Sequence, residues 1–295
     1  MKIFDCTTFF KEKMMMDIRF NILNEYVSKF VVVESRFSHS GQKKELNFDI
    51  NDYPKFKKKI EYIVIENEPE DLFKDEELSK SSYHKRLNSI KRIEQSYDHM
   101  SLGLDSADDN DLILLSDNDE IPNLSSSSIN DLKKNDYVIF KQLFFYYKFN
   151  LFYDRIPWFG TKGCKKKKLK KFSSIRNLKN KKYPFWRLDT YFSDVKQNNL
   201  KIVEKGGWHF TNIKTPEELF DKFINFGHHD EFELANIDLD KIKEKISNKE
   251  VFYDHLADKE SLNRWSDNYK LKKIDLSYLP KYLAQNSEKF KDWLD

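Results

Sequence analysis

The sequence contains few cysteines and no long apolar run. Only two cysteines, Cys6 and Cys164, occur in 295 residues, and they lie far apart. This spacing fits neither a disulfide framework nor a zinc site, so we expect a reducing compartment. No window approaches the roughly 20 apolar residues that span a bilayer, and the residues after Met1 lack the apolar core of a signal peptide. We therefore expect a cytoplasmic protein with at most peripheral membrane contact.

The sequence also lacks a large excess of one charge. Its 52 basic residues nearly balance 49 acidic ones, and the formal net charge is +3. A nucleic-acid-binding protein normally carries a larger basic excess, and no helix-turn-helix, RNP-like or zinc signature accompanies the lysines. We therefore expect no nucleic-acid partner. Aromatic residues make up 15% of the chain, which excludes a largely disordered protein.

Apolar strand patterns alternate with helical patterns in the first half of the chain. The strands are predicted over residues 3–10, 30–33, 62–65 and 112–115, and the helices over residues 14–27 and 71–97. This alternation indicates an α/β fold with a mostly parallel central sheet flanked by helices.

The acidic motif Ser-Asp-Asn-Asp-Glu-Ile-Pro follows the fourth predicted strand. In an extended backbone, Asp117 and Asp119 leave the same face, and two convergent carboxylates suit a hard cation such as Mg²⁺ or Mn²⁺. Glu34 also falls at a strand end, where ligands of such sheets bind. The alternative is that these acids are polar turn residues or helix caps.

The second half of the chain has a different pattern. An aromatic run over residues 137–152 predicts one long strand or two consecutive strands, with core packing favoured over sugar stacking. A short helix is predicted to begin at Ser125, and another near Thr215-Pro-Glu-Glu. The lysine-rich residues 160–187 are interpreted as a solvated, mobile loop. Steering of an anionic donor, or docking on an anionic membrane, is the alternative.

Two units are predicted along the chain. Residues 1–235 would form the main α/β domain, and residues 236–295 a charged, helical C-terminal extension packed on it.

Four segments, in this order, resemble glycosyltransferase family 17. They are residues 4–12, residues 31–41, the acidic motif of residues 116–122 and the turn of residues 206–210. A weaker similarity lies in the closing segment of residues 279–283. The best-known member of the family is the β-1,4-mannosyl-glycoprotein β-1,4-N-acetylglucosaminyltransferase that adds bisecting GlcNAc.

The resemblance implies a GT-A fold and an inverting, metal-dependent glycosyltransferase. The donor would be a nucleotide sugar, UDP-GlcNAc in the characterised members, and the cofactor Mn²⁺ or Mg²⁺. The acceptor would be a hydroxyl of a glycan or glycolipid, joined in β linkage. A catalytically degenerate glycan-binding protein of the same fold is the alternative, against which the intact Asp117 and Asp119 argue.

The resemblance also implies roles for individual residues. Asp117 and Asp119 would hold the metal that bridges the donor diphosphate, and Asp117 would also bind donor. Glu34 would contact the nucleoside, and Arg86 would grip phosphate oxygens. His209 would be a third metal ligand or orient the acceptor; the alternative is a buried histidine.

Trp208 would offer an apolar face to a sugar ring, unless it is simply buried. Inversion requires a general base, for which the sequence leaves several candidates. Asp230 and Glu231 are preferred over Asp189 and over Glu120, which would otherwise brace the metal loop. His228 and His229 are interpreted as surface or supporting groups.

Overall fold

A central mixed sheet flanked by helices organises the protein. The computed structural model describes residues 1–74, 82–125, 132–225, 232, 235–256 and 268–295. Its strands are β1 (Ile3–Thr8), β2 (Lys29–Ser35), β3 (Ile60–Ile65), β4 (Leu112–Ser116), β5 (Glu120–Pro122), β6 (Tyr137–Tyr146), β7 (Leu151–Phe152), β8 (Trp158–Lys165), β9 (Leu200–Val203), β10 (Gly207–Thr211) and β11 (Lys272–Lys273). Its helices are α1 (Lys13–Leu23), α2 (Ser82–His99), α3 (Phe172–Arg176), α4 (Pro216–Asn225), α5 (Leu239–Ser247) and α6 (Lys281–Gln285).

The first four strands form the parallel part of the sheet, in the order β4-β1-β2-β3. β4 is buried over its whole length and β2 over all but its ends, because helices cover both faces of a parallel sheet. The four strands predicted here are confirmed. Since they run in the same direction, their carboxyl ends meet at one edge.

The second half of the sheet is mixed, with parallel and antiparallel pairs. β8 pairs antiparallel with β4, and β6 pairs antiparallel with β8, whereas β9 and β10 run parallel to β6. The expectation of a mostly parallel sheet is therefore wrong. Antiparallel neighbours need only a short connection, and the chain passes from β6 to β8 through the short strand β7 without a crossover helix.

The aromatic run forms two strands, β6 and β7. The chain turns between them at Tyr147, which has a left-handed φ of 60°. Phe140, Phe144 and Phe145 are fully buried. Core packing, rather than sugar stacking, is the role these rings have.

The lysine-rich segment has regular structure over most of residues 160–176, so its interpretation as a loop is wrong there, whereas residues 177–187 form a loop and most of the lysines are exposed, as predicted. It contains the end of β8, a 3₁₀ turn over Lys166–Lys168 and helix α3. Lys162 is buried, and its ammonium group donates to the carbonyl oxygens of Arg176 (3.0 Å) and Leu178 (2.8 Å). Lys162 thereby anchors the end of α3, although its burial and the nearby Arg176 charge lower its pKa to about 8.

The predicted start of α4 is confirmed by a reciprocal cap. The backbone N–H of Glu218 donates to Oγ1 of Thr215 (3.2 Å), and the Thr215 N–H donates to the Glu218 carboxylate (2.9 Å). The short helix predicted at Ser125 lies mostly in residues 126–131, outside the described residues.

The described C-terminal residues pack on the sheet and the core. β11 pairs with β7, and Leu279, Leu283 and Phe290 belong to the same apolar cluster as residues of β1 and α1. The predicted boundary at residue 235 stays a prediction. Among the described residues, none of the helices combines the length and the apolarity that crossing a membrane requires.

Candidate active site

The aspartates of the acidic motif line a cavity at the carboxyl edge of the parallel strands. This cavity has a volume of about 430 Å³, a size suited to a small organic ligand. Thr8 and Phe9 enter it from the end of β1, and Ser35 from the end of β2. Asp117 and Asp119, which follow β4, both face it. The expected meeting of strand ends is therefore present.

Asp117 is held by a partly buried arginine and a tyrosine. Its carboxylate accepts from Nη2 of Arg176 at 2.6 Å and from the Tyr97 hydroxyl at 3.1 Å. The Asp117 charge raises the pKa of Arg176 above its ordinary value. Burial, followed by the same charge, raises the pKa of Tyr97. Both partners therefore keep their protons and fix the carboxylate at the cavity wall.

Asp119 lies beside a histidine and a lysine. Oδ1 of Asp119 is 3.4 Å from Nε2 of His209, and Oδ2 is 4.0 Å from Nζ of Lys222. Burial tends to raise the pKa of Asp119, but His209 and Lys222 together lower it well below its ordinary value. Asp119 is therefore an ionised carboxylate in a low-dielectric site.

Glu120 points away from the cavity and braces the acidic loop. Its carboxylate is fully buried and accepts from the Asp117 N–H (3.1 Å) and from Nε1 of Trp158 (2.9 Å). Burial and the neighbouring Asp117 charge raise its pKa. This position favours the bracing role over that of a general base.

Cationic side chains line the same cavity as the aspartates. They are Lys44, Arg86, Arg92, Arg176 and Lys222. His39 also lines it, and burial lowers the pKa of this imidazole to about 4, so it is neutral near pH 7. Guanidinium groups and fixed ammonium groups bind phosphate oxygens well. The cavity can therefore receive an anionic ligand beside its carboxylates, and the predicted Arg86 is among its walls.

Glu34 has a different position from the one predicted. It is fully buried, and its carboxylate accepts from the N–H groups of Asn47 (2.9 Å) and Phe48 (3.0 Å), the Tyr62 hydroxyl (2.8 Å) and the Lys44 ammonium group. Side chains alternate along a strand, so Ser35 faces the cavity while Glu34 lies on the other side. This geometry argues against a nucleoside contact and indicates that Glu34 fixes the following loop.

His209 and Trp208 leave opposite faces of β10. The His209 ring stacks on Trp158 with centroids 4.2 Å apart and reaches Asp119. No group of three or more His, Cys, Asp or Glu side chains suitable for a metal occurs among the described residues. The predicted three-ligand set is therefore not assembled here, and His209 orients Asp119. Trp208 is partly buried, packs on the core and donates to the Tyr278 carbonyl oxygen (2.7 Å), a structural role that argues against a sugar contact.

The structure describes only some of the candidates for the general base. Asp189 lies in an exposed loop, outside the cavity lining, where hydrogen bonds from Arg187 and Lys196 lower its pKa to about 2. So weak a base is poorly suited to take a proton at neutral pH. The preferred Asp230 and Glu231, like His228 and His229, lie outside the described residues.

The turn before β10 depends on a glycine. Gly207 has a φ of +120°, and a Cβ there would lie 2.2 Å from the carbonyl oxygen of Ile121. We expect Gly207→Ala to lower the free energy of unfolding by about 2 kcal/mol or more, because strain and a backbone clash add. Urea unfolding measures this, with the exposed neighbour Lys205→Ala as the control. Equal stability of the two variants would contradict the prediction.

A comparison with known families identifies the family of this chain. The sequence profile described as Glycosyltransferase family 17 matches residues 1–295. The chain belongs to glycosyltransferase family 17. A search of curated proteins finds no significant match. Membership in family 17 supports a role in glycosyl transfer, and in general implies a nucleotide-sugar donor and a glycan acceptor.

Proposed function

We propose that this family 17 protein is an inverting, metal-dependent glycosyltransferase with a GT-A-type donor site. It would move N-acetylglucosamine from UDP-GlcNAc onto a hydroxyl of a glycan or glycolipid, in β linkage. The observation that carries the proposal is one cavity lined by the Asp117 and Asp119 carboxylates and by several fixed cations. Such a cavity suits a ligand that carries a diphosphate and a cation together.

The residues present fit a hard divalent cation. Mg²⁺ and Mn²⁺ are often held by one or two carboxylates, with substrate phosphates and water completing the coordination. Asp117 and Asp119 would hold the cation here, since each carboxylate oxygen retains acceptor capacity beyond its present hydrogen bonds. When bound, the cation would neutralise charge on the departing nucleoside diphosphate.

The chain's own cations would position the donor. Arg176 is locked by Asp117, so its guanidinium enters the cavity in one orientation. Lys222 donates to Oδ1 of Asn212 (3.0 Å), and burial lowers its pKa. Ordered cations lose little freedom when a phosphate arrives, which favours an anionic donor over a neutral sugar.

The acceptor hydroxyl must lose its proton during an inverting transfer. Two further glutamates, Glu12 and Glu94, line the cavity. The Glu12 carboxylate accepts from the Phe10 and Lys11 N–H groups and is 3.3 Å from Lys214, so it is already committed. Glu94 of helix α2 therefore joins Asp230 and Glu231 as a candidate base.

A donor screen by thermal unfolding tests the function. We expect UDP-GlcNAc to raise the melting temperature in a concentration-dependent way, more strongly with Mn²⁺ than without. At a ligand concentration of 100 times Kd, the gain would be about 2.7 kcal/mol. Turnover of UDP-GlcNAc should likewise require Mn²⁺ or Mg²⁺ and stop on chelation.

The matched control is UMP, which has the same nucleoside but no diphosphate for the cation to bridge. Glycan binding by calorimetry, without any stabilisation by nucleotide sugars, would instead favour the degenerate binding protein.

A further inference from the structure

The loop of residues 179–197, called here the aromatic loop, exposes an unusual amount of apolar surface. Five large apolar side chains lie within eight consecutive residues, and their exposed fractions run from 64% to 93%. They are Phe185, Trp186, Leu188, Tyr191 and Phe192. Soluble monomers rarely expose a contiguous apolar patch of this kind unless it contacts a partner or a membrane.

The aromatic loop presents these side chains through a defined backbone. Its base is closed by hydrogen bonds from the Lys179 N–H to the Val195 carbonyl oxygen (2.8 Å) and from the Tyr183 N–H to the Gln197 carbonyl oxygen (3.1 Å). A 3₁₀ turn over Leu188–Thr190 shapes its tip, and Thr190 is buried beneath it. The apolar side chains are therefore held outward while the small polar residue is turned in.

Basic residues accompany the exposed aromatic side chains in the sequence of the loop. The aromatic loop contains five basic residues and two acidic ones. Both acids are paired, Asp189 with Arg187 and Lys196, and Asp194 with Lys170. Lys181 and Lys182, at the start of the loop, are exposed. The aromatic loop that carries the apolar side chains therefore has a net charge of +3, its five basic residues less its two acidic ones.

We propose that the aromatic loop docks the protein on the surface of an anionic lipid bilayer. Tryptophan and tyrosine prefer the lipid–water interface, and phenylalanine and leucine reach into the acyl boundary. Lysines beside them are attracted by anionic headgroups. Leu188 and Phe192 have no polar side-chain atom and project into solvent, whereas a sugar site is a concave surface with convergent polar groups. The chemistry of this face thus fits lipid better than glycan.

The aromatic loop begins directly beside the candidate active site. Asn177 and Arg176 line the cavity, and the Leu178 carbonyl oxygen is held by the buried Lys162. A docked loop would bring the rim of the cavity close to the membrane surface. Lipid binding itself does not depend on the proposed sugar transfer and can be tested without any donor or acceptor.

Vesicle flotation tests the proposal. We expect the protein to float with vesicles of equal parts phosphatidylcholine and phosphatidylglycerol, and much less with phosphatidylcholine alone. The triple variant Phe185→Ser, Trp186→Ser, Phe192→Ser should bind at least about tenfold more weakly, because it loses the apolar contact area. Lys181→Ser with Lys182→Ser should weaken binding by about fivefold for each lysine removed. Raising the salt concentration from about 0.1 M to about 1 M should also weaken vesicle binding by the parent protein.

Matched control variants replace exposed residues of other elements. Tyr83→Ser with Leu102→Ser removes comparably exposed apolar side chains, and Lys57→Ser with Lys58→Ser removes two exposed lysines. Both controls should float like the parent protein, and circular dichroism should show that every variant is folded. Absence of flotation, or equal flotation of the triple variant, would overturn the proposal. Self-association or oligosaccharide binding that the triple variant loses, with no vesicle binding, would also overturn it and assign the loop to a second copy or to the acceptor.

Discussion

Arg19→Met should lower the free energy of unfolding by about 3–5 kcal/mol, because it leaves a buried carboxylate without its partner. Arg19 and Asp5 are both fully buried, and the guanidinium pairs with both carboxylate oxygens, at 2.7 and 2.5 Å. A third nitrogen, Nη1, donates to the Glu120 carbonyl oxygen at 2.6 Å. The variant would therefore also release the acidic loop. Urea unfolding followed by circular dichroism measures the change as a lower midpoint with an unchanged slope.

Lys13→Met is the matched control on the same helix. Lys13 pairs with Asp52 at 2.9 Å, but both side chains are about half exposed, and surface pairs contribute about 0–1 kcal/mol. A double variant, Arg19→Met with Asp5→Leu, should recover much of the loss, since no charge is then left buried. If Arg19→Met changed stability no more than the control, the buried pair would not have the role described.

The sequence predicted the parallel strands well because each is a short apolar run with polar ends. The run Val31-Val-Val33 and the run Leu112-Ile-Leu-Leu115 are buried on both faces. Short apolar runs with polar ends are typical of buried strands. The mixed half of the sheet could not be predicted in the same way. Whether β8 pairs parallel or antiparallel with β4 depends on the path of the chain between them, which local patterns do not encode.

The site was predicted in part for the same reason. Asp117 and Asp119 follow directly from a buried strand, so their place at the sheet edge could be inferred. Arg176 was missed: it lies 59 residues from Asp117 in sequence, and the surrounding lysines made its segment resemble a solvated loop. The sequence did contain one signal for this role: Arg176 is an arginine among lysines and ends a short segment with the apolar pattern of a helix.

Tyr97, Lys222 and Trp158 were also missed. Each is an ordinary helix or strand residue in the sequence, and its role appears only when the fold brings it to the acidic loop. Glu34 shows the opposite error. The pattern located the end of β2 but not the face, and a shift of one residue along a strand reverses the direction of a side chain.

Asp119→Asn should reduce sugar transfer by about 10³-fold or more, while the variant stays folded. Asparagine has the shape of aspartate but no charge, so the site loses a preorganised carboxylate that Lys222 and His209 keep ionised. The main loss should appear in kcat, and calorimetry should show weaker Mn²⁺-dependent binding of UDP. Asp117→Asn should act similarly and also release Arg176 from its 2.6 Å contact.

Asp111→Asn provides a control at the other end of β4. Asp111 is buried and accepts from the N–H groups of Lys2 (2.6 Å) and Asp108 (2.9 Å), so its replacement should lower stability without changing kcat in the folded fraction. If Asp117 and Asp119 only stabilised the fold, their variants would behave like Asp111→Asn, with lower stability and an unchanged kcat in the folded fraction. If both Asp119→Asn and Asp117→Asn kept activity within tenfold of the parent, the carboxylates would have no essential role in the reaction. The fixed cations would then be the groups that hold the donor phosphates.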